Sequence, residues 1–265
     1  MILSYFLGAA GVAILFFTII FLIAQKKNNN SIVDIFWGLS FVVQVVYGLL
    51  FRLVSGLTLY WFQIVLSALV ALWGLRLFLY IGLRNLNKPE DFRYVDMKKK
   101  WGAKNPRLKA YVNVFLTQAA FHFVVALPIH LGMVAQTDVA LPIILAVSLL
   151  FYVGFLFEAV GDEQLAAFKR QKKAGTATTR ILTTGLWKYT RHPNYFGEAV
   201  MWWSFGLLVF PTNLGFFALV SPIVMTWLLR FVSGVPLLEK KYENDPEFQT
   251  YAKKTPIFFP WCPKK

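Results

Sequence analysis

The sequence is poor in the residues that build disulfide bonds and metal sites. It has one cysteine, Cys262, among 265 residues, so an intrachain disulfide is excluded. Its three histidines lack the spacing of a zinc site, no H-E-x-x-H motif occurs, and we expect no metal. Neither a P-loop nor a G-x-G-x-x-G motif is present. Any cofactor site therefore has to be built from other residues.

Acidic side chains are also scarce, whereas apolar ones are abundant. The chain is 57% hydrophobic and carries 13 acidic against 27 basic residues. Its apolar residues form runs of roughly 20, the length that a helix needs to cross a bilayer. We predict seven spans, and the fold class is then an all-α integral membrane bundle in one domain, 1–265. The predicted spans are 2–24, 31–51, 57–83, 109–133, 139–161, 194–211 and 214–233.

Basic residues concentrate in alternate connections between these spans. Nine lie in 84–109, seven in 169–191 and seven from Arg230 to the end, whereas Arg52 is alone in the opposite set. An excess of lysine and arginine is typical of cytosolic loops. The pattern predicts an outer N-terminus and a cytosolic tail, 234–265. The net charge of +14 thus indicates topology, and we expect no nucleic-acid partner.

Ionisable residues inside the spans share the predicted cytosolic half of the membrane. Such residues are costly in lipid and are candidates for function. Their distribution favours a cavity that opens to the cytosol. Interhelical ion pairs, for example of Arg76 with Asp34 or Glu198, are the structural alternative. The residues concerned are Asp34, Arg76, Glu158, Asp162, Glu198 and Arg230.

Helical spacing groups several of these side chains. On the third span, one face carries Trp73, Arg76, Tyr80 and Arg84. In the same way, Glu158 and Asp162 are four residues apart and share a face of the fifth span. Each group is therefore expected to point in one direction.

The stretch RHPNYFGE, residues 191–198, places polar chemistry at the start of the sixth span. Proline is favoured in the first turn of a helix, so Pro193 marks the helix start. A helix N-terminus flanked by Arg191 and His192 is an anion site. We interpret the basic segment 169–191 before it as a loop that wraps a polyanion, although charge held near anionic lipid is an alternative. Hydrogen bonds to an amide or a ribose are expected from Asn194, Tyr195 and Glu198.

The aromatic and basic C-terminal tail has two interpretations. It either folds back over the cofactor mouth or forms an interfacial aromatic belt. The residues concerned are Tyr251, Phe258, Phe259 and Trp261.

The stretch GLWKYTRHPNYFGE, 185–198, resembles the signature of a membrane reductase superfamily. That group includes the steroid 5-alpha-reductase C-terminal domain, sterol reductases and isoprenylcysteine carboxyl methyltransferases. Four further stretches resemble a bacterial-type family within the steroid 5-alpha-reductase group, and the similarity covers nearly all of the chain after residue 30. They are SIVDIFWG at 31–38, RNLNKPEDFRY at 84–94, FEAVGDEQLAAFK at 157–169 and LLRFVSGVPLLEKKY at 228–242.

The resemblance implies a seven-helix reductase bundle that NADPH enters from the cytosol. It implies that arginines hold the phosphates and that Asn194 and Glu198 hold the nicotinamide amide. We add Glu158, one turn before Asp162, to the cofactor residues. The candidate cofactor residues are Glu158, Asp162, Lys169, Arg180, Tyr189, Arg191, His192, Asn194, Tyr195, Glu198 and Arg230.

The resemblance also implies a carboxylate and a tyrosine that polarise an enone carbonyl, because negative charge develops on its oxygen. The candidate carboxylate is Asp34, with Arg76 beside it. Alignment on Arg76-x-Phe78-x-Tyr80 puts Trp73 where the tyrosine belongs, and Tyr80 replaces it only in a different register. The expected catalytic residues are thus Asp34, Arg76 and Tyr80.

The function expected from the sequence is NADPH-dependent reduction of a lipophilic enone or alkene, steroid-like or isoprenoid-like. The alternative is a methyltransferase that uses S-adenosylmethionine, and a non-catalytic lipid-binding or assembly protein is a third possibility. We expect a bacterial inner membrane location with the cofactor site facing the cytosol. The substrate and the oligomeric state stay open.

Overall fold

The chain is a multi-pass helical membrane protein. The computed structural model describes residues 1–86, 88–102 and 104–264, and these contain helices and no strand. Six helical stretches among them are long and apolar enough to cross a membrane. They are Ile2–Lys26, Ile32–Val54, Trp61–Asn85, Pro106–Val125, Leu141–Ala174 and Gly215–Tyr242.

The chain divides into two compact units. Unit 1 comprises Met1–Ala140 and Leu208–Val220, and unit 2 comprises Leu141–Leu207 and Ser221–Lys265. Unit 1 contains seven α-helices in the described part of the chain, with a π-helical segment, Tyr111–Leu116, between the fifth and the sixth. They are α1 (Ile2–Lys26), α2 (Ile32–Val54), α3 (Trp61–Asn85), α4 (Phe92–Trp101), α5 (Pro106–Ala110), α6 (Thr117–Val125) and α7 (Leu127–Val134).

Glycines bring α2 and α3 together. A β-carbon at Gly38 would lie 2.4 Å from the carbonyl oxygen of Gly74, and one at Gly74 would lie 2.6 Å from that of Gly38. Only glycine allows two helix backbones to approach this closely. The contact fixes the position of the second and third spans relative to each other.

The structure divides the span predicted over 109–133. Helix α6 ends at Val125, and α7 begins after Ala126 with Pro128 in its first turn. Proline lacks a backbone N–H and clashes with the preceding turn, so it starts a new helix where the apolar run alone predicts a continuous one.

Unit 2 is built around one long helix and a set of shorter ones. Helix α9 begins at Pro193, which confirms the start predicted from the sequence, but its 17 residues make it shorter than the six long stretches and it is not one of them. The α-helices are α8 (Leu141–Ala174), α9 (Pro193–Val209, through Leu207 in this unit), α10 (Val220–Trp227), α11 (Val235–Glu239) and α12 (Pro246–Lys254). The shorter segments are Gly185–Lys188, Leu228–Val232 and Lys240–Tyr242.

Helix α8 extends far beyond the span predicted over 139–161. Its 34 residues correspond to about 51 Å, whereas the apolar core of a bilayer is about 30 Å thick. The helix ends before Gly175, which has a φ of 73°, a conformation that favours glycine. The interpretation of 169–191 as a loop is therefore wrong for its first part, because Lys169 and the basic residues up to Lys173 are helical.

Candidate functional site

A cavity of about 230 Å³ lies in unit 2 where α8 ends. Its walls come from the last turns of α8, the segment 180–192, α11 and α12. Cationic side chains lie together with aromatic rings in its lining. The lining residues are Leu165, Phe168, Lys169, Lys172, Arg180, Ile181, Leu182, Trp187, Arg191, His192, Leu238, Glu239, Tyr242, Phe248 and Tyr251.

Three cations surround this cavity at its exposed side: Lys169, Lys172 and Arg180. The ammonium of Lys172 donates to the carbonyl oxygen of Arg180 at 3.0 Å. The side chain of Arg180 is 76% exposed, and its guanidinium lies 3.4 Å from a carboxylate oxygen of Asp245. Exposed ion pairs of this kind contribute little to stability. The side chains of Lys172 and Arg180, both exposed, are thus accessible to an incoming anion.

Arg191 and His192 share the carboxylate of Glu239. The guanidinium of Arg191 donates from Nε and Nη2 to the two oxygens of Glu239, at 2.8 and 3.1 Å. With His192 neutral, its Nε2–H donates to Oε1 of Glu239 at 2.9 Å. Burial lowers the pKa of His192, although Glu239 acts in the opposite direction. The carboxylate of Glu239 therefore accepts hydrogen bonds from two side chains of the protein itself.

The remaining donors of Arg191 hold the C-terminal segment. Its Nη1 donates to the carbonyl oxygens of Ala252 and Thr255, at 2.9 and 3.0 Å, and its backbone N–H donates to that of Pro256 at 2.9 Å. Phosphate binding by Arg191 stays a prediction, but these partners use most of its N–H groups. In this structure its role is to hold the tail against α9.

The tail folds back onto the segment before α9 and closes one side of the cavity. The hydroxyl of Tyr251 donates to the carbonyl oxygen of Trp187, and burial keeps its pKa above the ordinary value. The hydroxyl of Thr190 donates to the carbonyl oxygen of Phe258 at 2.8 Å. Tyr251 and Phe258 are buried by this contact, whereas Phe259 and Trp261 are exposed, and the interfacial aromatic belt stays a prediction.

Helices α8 and α9 bring three of the other candidate cofactor residues together. The amide of Asn194 donates to a carboxylate oxygen of Asp162 at 3.1 Å. The side chain of Glu158 is buried one turn earlier, and the backbone of Glu158 packs against Gly197. Asp162 and Asn194 are therefore in direct contact between α8 and α9, with Glu158 one turn away on α8.

Four more candidate residues are placed separately. The ring of Tyr195 stacks on that of His192 with centroids 5.6 Å apart, and Glu198 follows on the same helix. The backbone oxygen of Tyr189 accepts a hydrogen bond from the N–H of Trp261 at 2.9 Å. The guanidinium of Arg230 lies 4.8 Å from the ring centroid of Phe231 in the π-helical segment Leu228–Val232. None of these four candidates lines the cavity.

In unit 1 the carboxylate of Asp34 binds two residues that the sequence analysis did not select. The hydroxyl of Tyr94 donates to Oδ1 at 2.6 Å, and Nη2 of Arg93 donates to Oδ2 at 2.7 Å. The pKa of Tyr94 is raised by burial and by the nearby carboxylate, so the phenol stays protonated and acts as the hydrogen-bond donor to Asp34. A carboxylate–tyrosine pair is therefore present, with Tyr94 as the tyrosine.

The arginine-rich face predicted on α3 is confirmed from Arg76 onwards. The guanidinium groups of Arg76 and Arg84 lie 5.0 and 5.5 Å from the ring centroid of Tyr80. Trp73 is fully buried and packs against Phe41, with centroids 5.4 Å apart. The expected catalytic residues thus fall into two groups within unit 1: Asp34 with Tyr94, and Arg76 with Tyr80.

Two buried histidines of unit 1 pack among aromatic rings. The ring of His122 lies 4.3 Å from that of Phe41 between centroids, and Tyr5 lies near Nδ1 of His130 at 3.4 Å. In the described part of the chain no group of three or more His, Cys, Asp or Glu residues is arranged to hold a metal ion.

Sequence reasoning missed the residues that come from connecting segments. Tyr94 and Arg93 end the stretch RNLNKPEDFRY, and Glu239 lies in LLRFVSGVPLLEKKY. Both stretches belong to the family resemblance. The side chains of Arg93, Tyr94 and Glu239 within them bind partners 47 to 60 residues away in the sequence. The available signal was the presence of charged and phenolic residues inside stretches that already resembled a family.

Comparisons with known proteins give a family and one distant relative. The model of a protein family of unknown function, DUF1295, matches residues 20–255. An uncharacterized protein of Schizosaccharomyces pombe is 25% identical over 264 residues, which covers 88% of this chain and 73% of that protein. No solved structure matches the chain significantly.

Proposed function

The chain belongs to the DUF1295 family, and on that premise we propose that it is a membrane-embedded, NADPH-dependent reductase. The substrate class is a lipophilic enone or alkene, steroid-like or isoprenoid-like, and the reaction is hydride transfer. The similarity of GLWKYTRHPNYFGE to the steroid 5-alpha-reductase group supports this assignment.

The cavity of unit 2 is the observation that carries the proposal. It combines three accessible cations, Lys169, Lys172 and Arg180, with an aromatic wall that includes Trp187 and Tyr251. Phosphate groups bind lysine and arginine through charge-assisted hydrogen bonds, and flat rings pack on aromatic side chains. A phosphorylated molecule with an aromatic ring system fits this combination.

The fit applies to one end of the cofactor. A volume of about 230 Å³ is below the size of a pocket that encloses a whole drug-sized ligand, roughly 300–1,000 Å³. The cavity therefore suits the phosphate-bearing end of NADPH, held by Lys172 and Arg180. When bound, NADPH supplies the hydride. The nicotinamide-binding role of Asn194 and Glu198 stays a part of the proposal.

The hydrogen-bond donor that we assign to the reaction is Tyr94, whose O–H turns from Asp34 to the carbonyl oxygen of a bound enone. Hydride addition to an enone leaves negative charge on the carbonyl oxygen, and a hydroxyl stabilises that charge. The carboxylate orients the phenol, and the hydrogen bond from Arg93 holds the carboxylate in place. In this proposal Tyr94 takes the place of Tyr80 as the tyrosine of the pair, and Trp73 needs no catalytic role.

An S-adenosylmethionine-dependent methyltransferase of the isoprenylcysteine carboxyl methyltransferase type is the alternative. The aromatic lining favours it in one respect, because the rings of Tyr242, Phe248 and Tyr251 suit a sulfonium cation. The three surrounding cations, Lys169, Lys172 and Arg180, repel that sulfonium. The balance of charge therefore favours NADPH.

The proposal includes a location and a topology. The cofactor side faces the cytosol, because NADPH is supplied there and because seven basic residues lie in 169–191. The proposed membrane is a bacterial inner membrane, with seven spans if α9 crosses.

Calorimetry on the detergent-purified protein tests the proposal. We expect NADPH to bind, S-adenosylmethionine not to bind, and the double variant Lys172→Ala/Arg180→Ala to weaken NADPH binding at least tenfold. The matched control is Lys100→Ala, an exposed lysine on α4 in unit 1. Arg191→Ala is unsuitable, because it releases the tail. Binding of S-adenosylmethionine alone would establish the alternative, and binding of neither would overturn both.

A further inference from the structure

The end of the C-terminal tail presents two large aromatic side chains to the outside. The exposed fractions of Phe259 and Trp261 are 71% and 76%. The chain around them is held in place, because the N–H of Trp261 donates to the carbonyl oxygen of Tyr189 at 2.9 Å and Phe258 is buried. The exposed rings are therefore fixed on an ordered backbone.

A continuous set of rings connects this surface to helices α8 and α9 of unit 2. Phe157 on α8 contacts Phe196 on α9, with centroids 5.1 Å apart. Phe196 in turn lies 6.3 Å from Phe258 and 6.1 Å from Phe259. Phe157 is followed directly by the acidic Glu158 on α8, so the tail packs where the apolar part of this helix gives way to its polar part.

Positive charge accompanies the exposed rings. Lys253 and Lys254 are exposed at the end of α12, and Lys264 is exposed beyond Trp261. The backbone N–H of Lys264 donates to the carbonyl oxygen of Lys254 at 2.9 Å, which brings these two lysines side by side. Tryptophan at the headgroup level with lysines beside it is the composition that binds an anionic membrane surface.

We propose that residues 253–264 form an interfacial anchor, in which Phe259 and Trp261 insert at the headgroup level and the three lysines bind anionic lipid headgroups. The anchor is independent of the cofactor proposal. Because α12 also carries Phe248 and Tyr251 in the cavity wall, lipid binding holds that wall in position.

The single cysteine provides the test. Cys262 is exposed next to Trp261, so a nitroxide spin label attached there reports the depth of the tail without any other substitution. The labelled protein is placed in nanodiscs of phosphatidylcholine, alone or mixed with phosphatidylglycerol. Collision rates are measured with a water-soluble nickel complex and with lipid-soluble oxygen.

We expect a nickel collision rate that is several-fold lower than for a label in water, and lower again with phosphatidylglycerol. Lys253→Gln/Lys254→Gln/Lys264→Gln removes the effect of phosphatidylglycerol, and Phe259→Ser/Trp261→Ser raises the nickel rate in both lipids. The matched controls are Lys173→Gln, an exposed lysine that ends α8, and Tyr152→Ser, an exposed ring on α8; both leave the rates unchanged.

If the nickel collision rate of the label in both lipids equals that of a label in water, the proposed anchor is wrong. The same conclusion follows if Lys173→Gln abolishes the phosphatidylglycerol effect as fully as the triple variant does, because general charge then explains it. Both aromatic side chains to be replaced are exposed and the backbone bond at Trp261 is retained, so these variants keep the fold of the tail.

Discussion

Arg191 and Glu239, 48 residues apart, form a bidentate ion pair that joins the start of α9 to the end of α11. Both side chains are largely buried, with exposed fractions of 10% and 19%. The same guanidinium binds two carbonyl oxygens of the tail. Arg191, which begins RHPNYFGE, therefore connects three segments of unit 2. Its main structural role is to hold the tail in its folded position.

Arg191→Lys should destabilise the protein even though the charge is kept. A lysine cannot donate to both oxygens of Glu239 in a bidentate arrangement, and it leaves carbonyl oxygens of the tail without a donor. A buried acceptor left without a donor costs about 1–3 kcal/mol. The measurements are thermal unfolding in detergent and limited proteolysis of residues 243–264. An unchanged unfolding temperature and a protected tail would contradict the assigned role.

The stability of unit 2 should fall in mildly acidic solution because of His192. Its pKa in the folded protein is below the ordinary value, since burial disfavours the imidazolium. The unfolded chain, with an ordinary pKa of about 6.5, takes up a proton that the folded protein resists. Stability is therefore complete above about pH 6.5 and declines below it. The unfolding temperature of His192→Gln should show a flatter pH dependence, and an equal slope would reject this source.

Tyr94→Phe should abolish most turnover and leave cofactor binding intact. The substitution removes the hydroxyl that donates to Asp34 and keeps the ring, while every residue that lines the cavity is unchanged. We expect the reductase rate to drop at least tenfold with the same NADPH affinity. The matched control is Tyr111→Phe, which removes a hydroxyl bonded to Thr18 and should have little effect. Full activity of Tyr94→Phe would remove Tyr94 from the mechanism.

Local sequence signals predicted the helices and their starts. Apolar run length located the first three spans, and Pro193 marked the start of α9 because its ring favours the first helical turn. The same signals failed where a single residue interrupts a run, as Pro128 does, or where a polar helix continues past the apolar part, as α8 does up to Ala174. Hydropathy predicts which part of a helix lies in the bilayer, whereas the positions of the helix ends depend on glycine and proline.

The site could be predicted only as a set of residue types. The sequence indicated that Asp34 and Arg191 were important, because charge in or near a span is costly. It could not give their partners, since Tyr94 and Glu239 come from connecting segments and pair through the folded chain. The cavity is similar: Lys169 and Arg180 were selected, but Phe248 and Tyr251 enter its wall only because the tail folds back.

Gly197→Ala should separate α8 from α9. A β-carbon there would lie 2.4 Å from the carbonyl oxygen of Gly154 and 2.5 Å from the backbone nitrogen of Glu158, and backbone atoms cannot yield as a flexible side chain can. Overpacking of this kind costs about 1–3 kcal/mol. Gly11→Ala is the control, because no atom lies within 4 Å of the new carbon. Thermal unfolding of the two variants compares them, and equal stability would show that the helices adjust freely.

Arg52→Met should destabilise unit 1, where Arg52 is the one basic residue outside the predicted cytosolic set. The side chain is only 1% exposed in the last turn of α2. Its guanidinium donates to the carbonyl oxygens of Met133 at 2.6 Å and Ala135 at 2.9 Å, and also to that of Thr58. The oxygens of Met133 and Ala135 lie in the last turn of α7 and just after it, where no helical N–H is left to bind them.

The cost of Arg52→Met follows from those oxygens. Methionine fills a similar volume but donates no hydrogen bond, and each buried polar group left without a partner costs about 1–3 kcal/mol. Since Gln63 still donates to Ala135 at 3.3 Å, we expect a total loss of roughly 2–4 kcal/mol in the free energy of unfolding. Denaturation in detergent measures this, with Lys100→Met as the exposed control. If the two variants unfold alike, the charge at Arg52 serves topology and not the packing of α7.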